Sequence, residues 1–253
     1  MCILFFAIDK HPQYPVIICA NRDEFHQRPT QAMHQWLSPE ILAGKDLQAG
    51  GTWLGLSNDG KFSALANYRQ SLTEAGNKKS RGELVLNALT REARPLESQL
   101  PRIANDYNGF NLVFGHLNRL ICFDSVNQSF HKLTPGFHSI CNGALDDIWP
   151  KMALGQEQLA QAISQSANTE KALDSETLFA LMRNCQQATQ KELPDTGIAL
   201  EWEQLLSSIF IVSKEYGTRS TTILMQNKNG DVQIYERSYS PTGQVTGTLK
   251  FSR

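Results

Sequence analysis

The sequence lacks the features that announce a charged partner. Its 24 basic and 25 acidic side chains are scattered without a run of either sign, and they leave a formal net charge of -1. Neither a nucleic acid nor an anionic membrane finds a matching surface in such a distribution. No stretch reaches the ~20 apolar residues of a membrane helix, so no stable membrane insertion is expected. The opening MCILFFAIDK holds an apolar run from Cys2 to Ile8 with no basic region before it, and Asp9 closes it. That is not the pattern of a secretory signal, and a cytoplasmic location is expected. Cysteine is sparse and odd in number: residues 2, 19, 122, 141 and 185 form no CxxC pair. Reduced thiols are expected, not a disulfide framework or a zinc site. The histidines, at 11, 26, 34, 116, 131 and 138, show no HExxH spacing, so no metal is expected. A GxSxG elbow and the GK[ST] ending of a phosphate loop are absent too.

What is present suffices for one domain over residues 1–253, with 41% hydrophobic side chains. Short apolar runs at 2–8 and 16–20 read as buried strands. Segments 53–57 and 62–67 flank Asn58-Asp59-Gly60, a hairpin signal. Segments 110–115, 119–124 and 128–133 suggest one meander, and 209–212, 220–226 and 232–237 another, with Asn229-Gly230 as a turn. Helical patterns fall at 80–92, where Ser80 and Glu83 have capping-box spacing, at 149–164 and at 175–188. Strands at both ends and helices between them predict an α+β architecture of packed sheets with helices on their outer faces.

Cys2 is the most informative position. Methionine before a small residue is a normal target for removal, and processing would leave a cysteine with a free α-amino group. An α-amine titrates near ~7.7–8.0, so thiol and general base would belong to one residue. Asn21-Arg22-Asp23-Glu24 follows the 16–20 run directly. There a cation could lower the thiol pKa and a carboxylate could hold the amine. Amide side chains at strand ends, Asn67 and Asn142, can donate to a developing oxyanion. Arg219, at the entry to a late strand, could contact a substrate carboxylate or orient the nucleophile. Each of these also has a plainer reading, as a turn residue, a solvated ion pair or a snorkelling side chain. Gly50-Gly51-Thr52-Trp53-Leu54-Gly55 reads as a tight turn into a strand.

Seven motifs occur in one order: Met-Cys at the start, Asn21–Glu24, GGTWLG at 50–55, Asn67-Tyr68-Arg69, Ser80-Arg81-Gly82, YNGFNL at 107–112 and YGTRS at 216–220. Together they resemble the NRDE family, also called the Transport and Golgi organisation protein 2 family, over nearly the whole chain. That family is similar to the N-terminal-nucleophile hydrolases of the choloylglycine hydrolase type. The resemblance implies a four-layer αββα sandwich of antiparallel sheets. It makes Cys2 nucleophile and base, Asn67 and Asn142 oxyanion donors, and Arg219 the late arginine. Those hydrolases separate an Arg and an Asp by two residues before an aromatic, whereas here Asn21-Arg22-Asp23-Glu24 precedes Phe25. Either Arg22 and Asp23 take the two roles, or Asn21 and Glu24 occupy the equivalent positions. Asn21, Glu24, Trp53, Tyr68 and Arg69 are the substrate-contacting candidates. Two functions follow from the resemblance. One is hydrolysis of an amide or acyl thioester, such as an acyl-CoA, of a hydrophobic metabolite, with no cofactor required. The other is a non-catalytic carrier with haem as cargo in the same cleft.

Overall fold

The computed structural model describes residues 2–69, 78–167 and 173–253. The strands in chain order are β1 (Cys2–Ile8), β2 (Val16–Phe25), β3 (Thr30–Gln35), β4 (Ile41–Asp46), β5 (Leu54–Ser57), β6 (Lys61–Asn67), β7 (Phe110–His116), β8 (Arg119–Asp124), β9 (Ser129–Lys132), β10 (Gly136–Ile140), β11 (Tyr216–Gln226), β12 (Val232–Tyr239) and β13 (Val245–Ser252). The helices are α1 (Gly82–Thr90), α2 (Ala93–Ile103), α3 (Pro150–Ala167), α4 (Ser175–Met182) and α5 (Leu200–Leu205). The class is α+β, and every strand pair is antiparallel. Among the described residues no helix is long and apolar enough to cross a membrane.

The chain divides into two compact units. The first, residues 1–26, 134–140 and 146–253, contains the six-stranded sheet β10-β1-β2-β11-β12-β13. Pairing places Ile3, Phe5 and Ala7 of β1 opposite Asn21, Cys19 and Ile17 of β2 on one face. That face receives α3 and α4. Phe5 lies so close to the helix that a Cβ on Gly155 would come within 2.1 Å of its ring. The apolar stripes are Met152, Leu159 and Ile163 on α3, and Leu178, Phe179, Leu181 and Met182 on α4. The other face of β1 and β2 carries Cys2, Leu4 and Phe6 opposite Arg22, Ala20 and Ile18.

The second unit, residues 27–133 and 141–145, contains the meander β3 to β9 in sequence order. The helix α1 buries Leu84, Val85, Ala88 and Leu89 against Ile41, Ala43, Leu65, Leu112 and Phe114. Two glycine motifs meet here. A Cβ on Gly51 would stand 2.7 Å from the backbone of Gly82, so the GGTWLG turn and the start of α1 pass each other at backbone distance.

Several sequence expectations shift in the structure. The capping box at Ser80 does not form: Arg81 is the N-cap, without a side-chain bond, and the Glu83 carboxylate accepts the Tyr107 hydroxyl proton instead. A nearby phenol outcompetes the local cap, which joins α1 to the YNGFNL segment. The apolar 209–212 run is not a strand. Its Ile211 N–H donates to Thr218 Oγ1 (2.9 Å), and the Thr218 N–H donates back to Ile211 O (2.9 Å). That loop buries Ile209, Phe210 and Ile211, so the run is apolar because it is core. The helix expected over 175–188 is α4, which ends at Met182, and β2 continues five residues beyond Ala20.

Candidate functional site

The extension of β2 decides how its polar tetrad is used, because a strand alternates its side chains between two faces. Asn21 and Asp23 turn to the helix-bearing face, Arg22 and Glu24 to the Cys2 face. Asn21 is fully committed. Its Nδ2 donates to Met182 O (2.9 Å) and Ile209 O (2.8 Å), and its Oδ1 accepts from Thr221 Oγ1 (2.6 Å). Thr221 in turn accepts from the Tyr239 hydroxyl (3.1 Å). This buried chain ties β2, β11 and β12 to the end of α4, so Asn21 acts as a strut of the fold.

Asp23 is buried, and its Oδ1 accepts from Thr218 Oγ1 (2.7 Å). Burial raises its carboxyl pKa, opposed first by the charge of the chain's N-terminal amine, then by the Thr218 hydrogen bond and the charges of Lys151 and Arg22. Arg22 lies directly opposite both Cys2 on β1 and Ser220 on β11, so these three side chains form a row across the sheet. Cys2 is half-buried, and burial pushes its thiol up to about 11. Asp23 and Glu24 add to that rise, whereas Arg22 opposes it. Glu24 Oε1 accepts from the Phe25 N–H (2.9 Å).

Arg219 joins this group through an irregularity that the sequence does not announce. Thr218 pairs with Asp23 and Ser220 pairs with Arg22, so Arg219 is the extra residue of a β-bulge. Bulges re-aim side chains next to functional sites. The half-buried guanidinium donates from Nη1 to Phe25 O (3.0 Å). Its pKa is lowered by burial and by the charge of Arg22, with Glu24 opposing. Cys2, Arg22, Asp23, Glu24 and Arg219 thus converge at one end of the first unit's sheet. Met1 lies outside the described residues.

In the second unit, Asn67, Tyr68, Arg69 and Asn142 also come together. Asn142 Nδ2 donates to Asn67 O (2.9 Å), Arg69 Nη2 donates to Asn142 Oδ1 (3.2 Å), and the Arg69 N–H donates to Asn142 O (2.7 Å). The Cys141 thiol also donates to Asn142 Oδ1 (3.1 Å). Asn111 Nδ2 fixes the next residue by donating to Gly143 O (2.7 Å). The half-buried side-chain amide of Asn67 makes no hydrogen bond among the described residues. Tyr68 is held through its backbone, its N–H donating to Gly109 O (2.9 Å). A Cβ on Gly44 would fall 2.3 Å from the Trp53 ring, so the indole packs directly against a glycine of β4.

The family model described as Transport and Golgi organisation 2 matches residues 1–241. The chain belongs to this family. A mouse Transport and Golgi organization 2 homolog is 34% identical over 94% of this chain and 93% of its own length. The human homolog is 33% identical over the same shares. The Drosophila melanogaster Transport and Golgi organization protein 2 is 24% identical, covering 94% of this chain and 92% of its own. Among solved structures, the C2A mutant of a conjugated bile acid hydrolase from Clostridium perfringens superposes with a TM-score of 0.54 at 10% identity. That match covers 99% of this chain and 92% of the hydrolase. The fold of this Transport and Golgi organisation 2 family member is therefore that of the N-terminal-nucleophile hydrolases, the α+β type expected from its motifs.

Two contributors escaped the sequence reading. Thr218 sits inside YGTRS, but nothing local marks it as the hydroxyl partner of Asp23. Lys151 follows Trp149-Pro150, where a lysine in a first helical turn reads as solvent-facing; it is buried.

Proposed function

We propose that this protein is an N-terminal-cysteine hydrolase acting on an amide or an acyl thioester of a hydrophobic metabolite, after removal of Met1. The observation that carries the reading is the row of Cys2 against Arg22, with Asp23, Glu24 and the bulged Arg219 at the same sheet end. In this reading the Cys2 α-amine takes the thiol proton and the sulfur attacks the carbonyl carbon. The C–N or C–S bond of the substrate breaks, and the proton leaves with the departing amine or thiol. Water then cleaves the Cys2 thioester and releases the acid, with the same amine as base. Arg22 supports the thiolate, and Asp23 holds the protonated amine. Arg219 is the cation for an anionic substrate group. No cofactor is needed, and residues 1–253 act as one N-terminal-nucleophile domain in the cytoplasm.

Intact-mass spectrometry after incubation with acyl-CoAs and acyl amides tests the reading. An acyl adduct on the processed chain, absent from Cys2→Ala, is expected. No adduct and no product across the panel would overturn it.

One observation favours a second reading, a carrier of haem or a similar hydrophobic metabolite. Burial raises the Cys2 thiol to about 11, so it is held as an uncharged thiol in an apolar setting, which suits a lining group as well as a nucleophile. A carrier would bind haem equally well with Cys2→Ala and would hand it to an apo-acceptor.

A further inference from the structure

A pocket of about 500 Å³ lies between the start of α3, the segment 186–192 and Ser207, just after α5. Sites for small molecules have this size. The walls are fixed before any ligand arrives. The Ala188 N–H donates to Ser207 Oγ (3.0 Å), and Gln204 Nε2 donates to Ala188 O (2.6 Å), which ties the segment to α5. The Thr189 N–H and hydroxyl both donate to Glu192 Oε2 (3.0 and 2.7 Å), which closes the turn that follows.

Lys151 is part of this lining, with only 5% of its surface exposed. Its Nζ donates to Leu206 O (2.6 Å), which uses one of three donors. That carbonyl belongs to the peptide entering Ser207, so the ammonium lies at the Ser207 wall of the pocket. A single carbonyl does not compensate a buried ammonium. The buried Asp23 feels the charge, but no hydrogen bond or ion pair joins the two side chains among the described residues. Lys151 also stands in the first turn of an 18-residue helix, whose macrodipole adds positive potential at this end. Both effects favour an anion here.

The rest of the lining narrows the class of anion. Ile148, Pro150, Ala153 and Leu154 form an apolar side, and Ile148 is 90% exposed. The two acids of the lining, Glu157 and Glu192, are exposed and turned to the protein's own donors, Gln161 (3.1 Å) and Thr189. Water and salt screen such charges, so they do not cancel the buried ammonium. They do disfavour a second negative charge on a ligand.

We propose that this pocket binds a small organic monoanion, with its carboxylate on Lys151 and its apolar body along Ile148, Pro150, Ala153 and Leu154. The site does not depend on the hydrolase reading.

Calorimetric titration of the full chain tests it, with hexanoate as the probe and hexanamide and hexyl phosphate as its neutral and dianionic counterparts. At pH 8 the phosphate monoester carries about two charges. Hexanoate should bind one-to-one, about tenfold or more tighter than hexanamide, and more tightly than hexyl phosphate. Lys151→Met should erase the preference for hexanoate over hexanamide, and Lys151→Arg should restore most of it. Ile148→Asp alters a side chain outside the core, so it decides the matter even if Lys151→Met does not fold. It should weaken hexanoate binding by about tenfold or more and leave the thermal melt unchanged. No saturable binding, or equal binding of hexanoate and hexanamide, would overturn the proposal. Hexanoate binding untouched by Ile148→Asp would place the probe at another site and overturn it too. Hexyl phosphate binding as tightly as hexanoate would overturn the monoanion class.

Discussion

Replacing Asn21 by alanine separates a structural first residue of the tetrad from a chemical one. The side chain makes three buried hydrogen bonds, to Met182 O, Ile209 O and Thr221 Oγ1. Alanine removes all three and leaves two carbonyls and a hydroxyl in a site that is 1% exposed at Asn21. Each orphaned buried group costs about 1–3 kcal/mol, less where a neighbour relaxes, so the sum is roughly 3–6 kcal/mol. Against a total stability on the order of 5–15 kcal/mol, that is a large fraction. For a chain of this size about 1 kcal/mol corresponds to ~2–4 °C, so the midpoint should fall by roughly 10–20 °C in a circular-dichroism melt. Asn21→Asp adds a sharper test. It keeps the acceptor for Thr221 but faces two carbonyls with an oxygen, so it should be at least as damaging above the carboxyl pKa and milder at acid pH. The outcome that refutes the strut is an Asn21→Ala protein that melts with the wild type yet loses Cys2 acylation. Asn21 would then belong to the chemistry, and the alignment of Asn21 and Glu24 with the hydrolase pair would regain its force.

Further expectations concern charge and packing. In the unprocessed chain, alkylation of Cys2 should inflect near about 11, shift upward in Arg22→Gln and shift downward in Asp23→Asn, read as iodoacetamide rates against pH. Because that pKa lies above its ordinary value of 9.0, the stability tied to it is complete below about 9 and lost as pH rises through 11. The His138 ring bonds Asp146 Oδ2 (2.8 Å) and Thr134 O (2.8 Å), an acceptor at each nitrogen, so the cationic form is favoured. Its pKa is raised mainly by the Asp146 bond, and stability present below ~6.5 should be lost as pH rises through the raised value. His138→Gln should flatten that slope in urea titrations between pH 5 and 8. Gly155→Ala should destabilise by about 1–3 kcal/mol or more, since the new methyl would meet Phe5 at 2.1 Å. Gly247→Ala, with nothing within 4 Å, should stay within ~0.5 kcal/mol of the wild type by the same melt.

The legible parts of the sequence were those written in local periodicity and turn chemistry. Asn58-Asp59-Gly60 and Asn229-Gly230 gave their turns because φ reaches 83° at Gly60 and 92° at Gly230, a region glycine enters freely. The long helix was legible from Pro150, and the first strand from its apolar run. The strands β3, β4, β10 and β13 were not seen. The last of these alternates Val245, Gly247, Leu249 and Phe251 with Thr246, Thr248, Lys250 and Ser252, but it is exposed along almost its whole length. The 209–212 run was misread because burial without a ladder leaves the same apolar signature as a strand.

The candidate site was legible as composition but not as geometry. A tetrad of polar residues after an apolar run reads as a loop leaving a strand, and only a ladder to β11 keeps it extended through Phe25. Once extended, parity distributes the tetrad: Asn21 and Asp23 turn to the helix-bearing face, and Arg22 and Glu24 turn to the face of the thiol. The bulge then breaks that parity at one place, Arg219, and brings a second guanidinium to the charged end. Neither the extension nor the bulge follows from residues 21–24 or 216–220 taken alone. Both arise from the pairing of strands some two hundred residues apart in sequence, a separation also spanned by the Asp23–Thr218 hydrogen bond. The motifs in YGTRS and at residues 21–24 are therefore one structural unit. A change such as Thr218→Val, which deletes the hydroxyl on Asp23 and the acceptor for Ile211, should perturb Cys2 reactivity although it lies on the opposite face of the sheet.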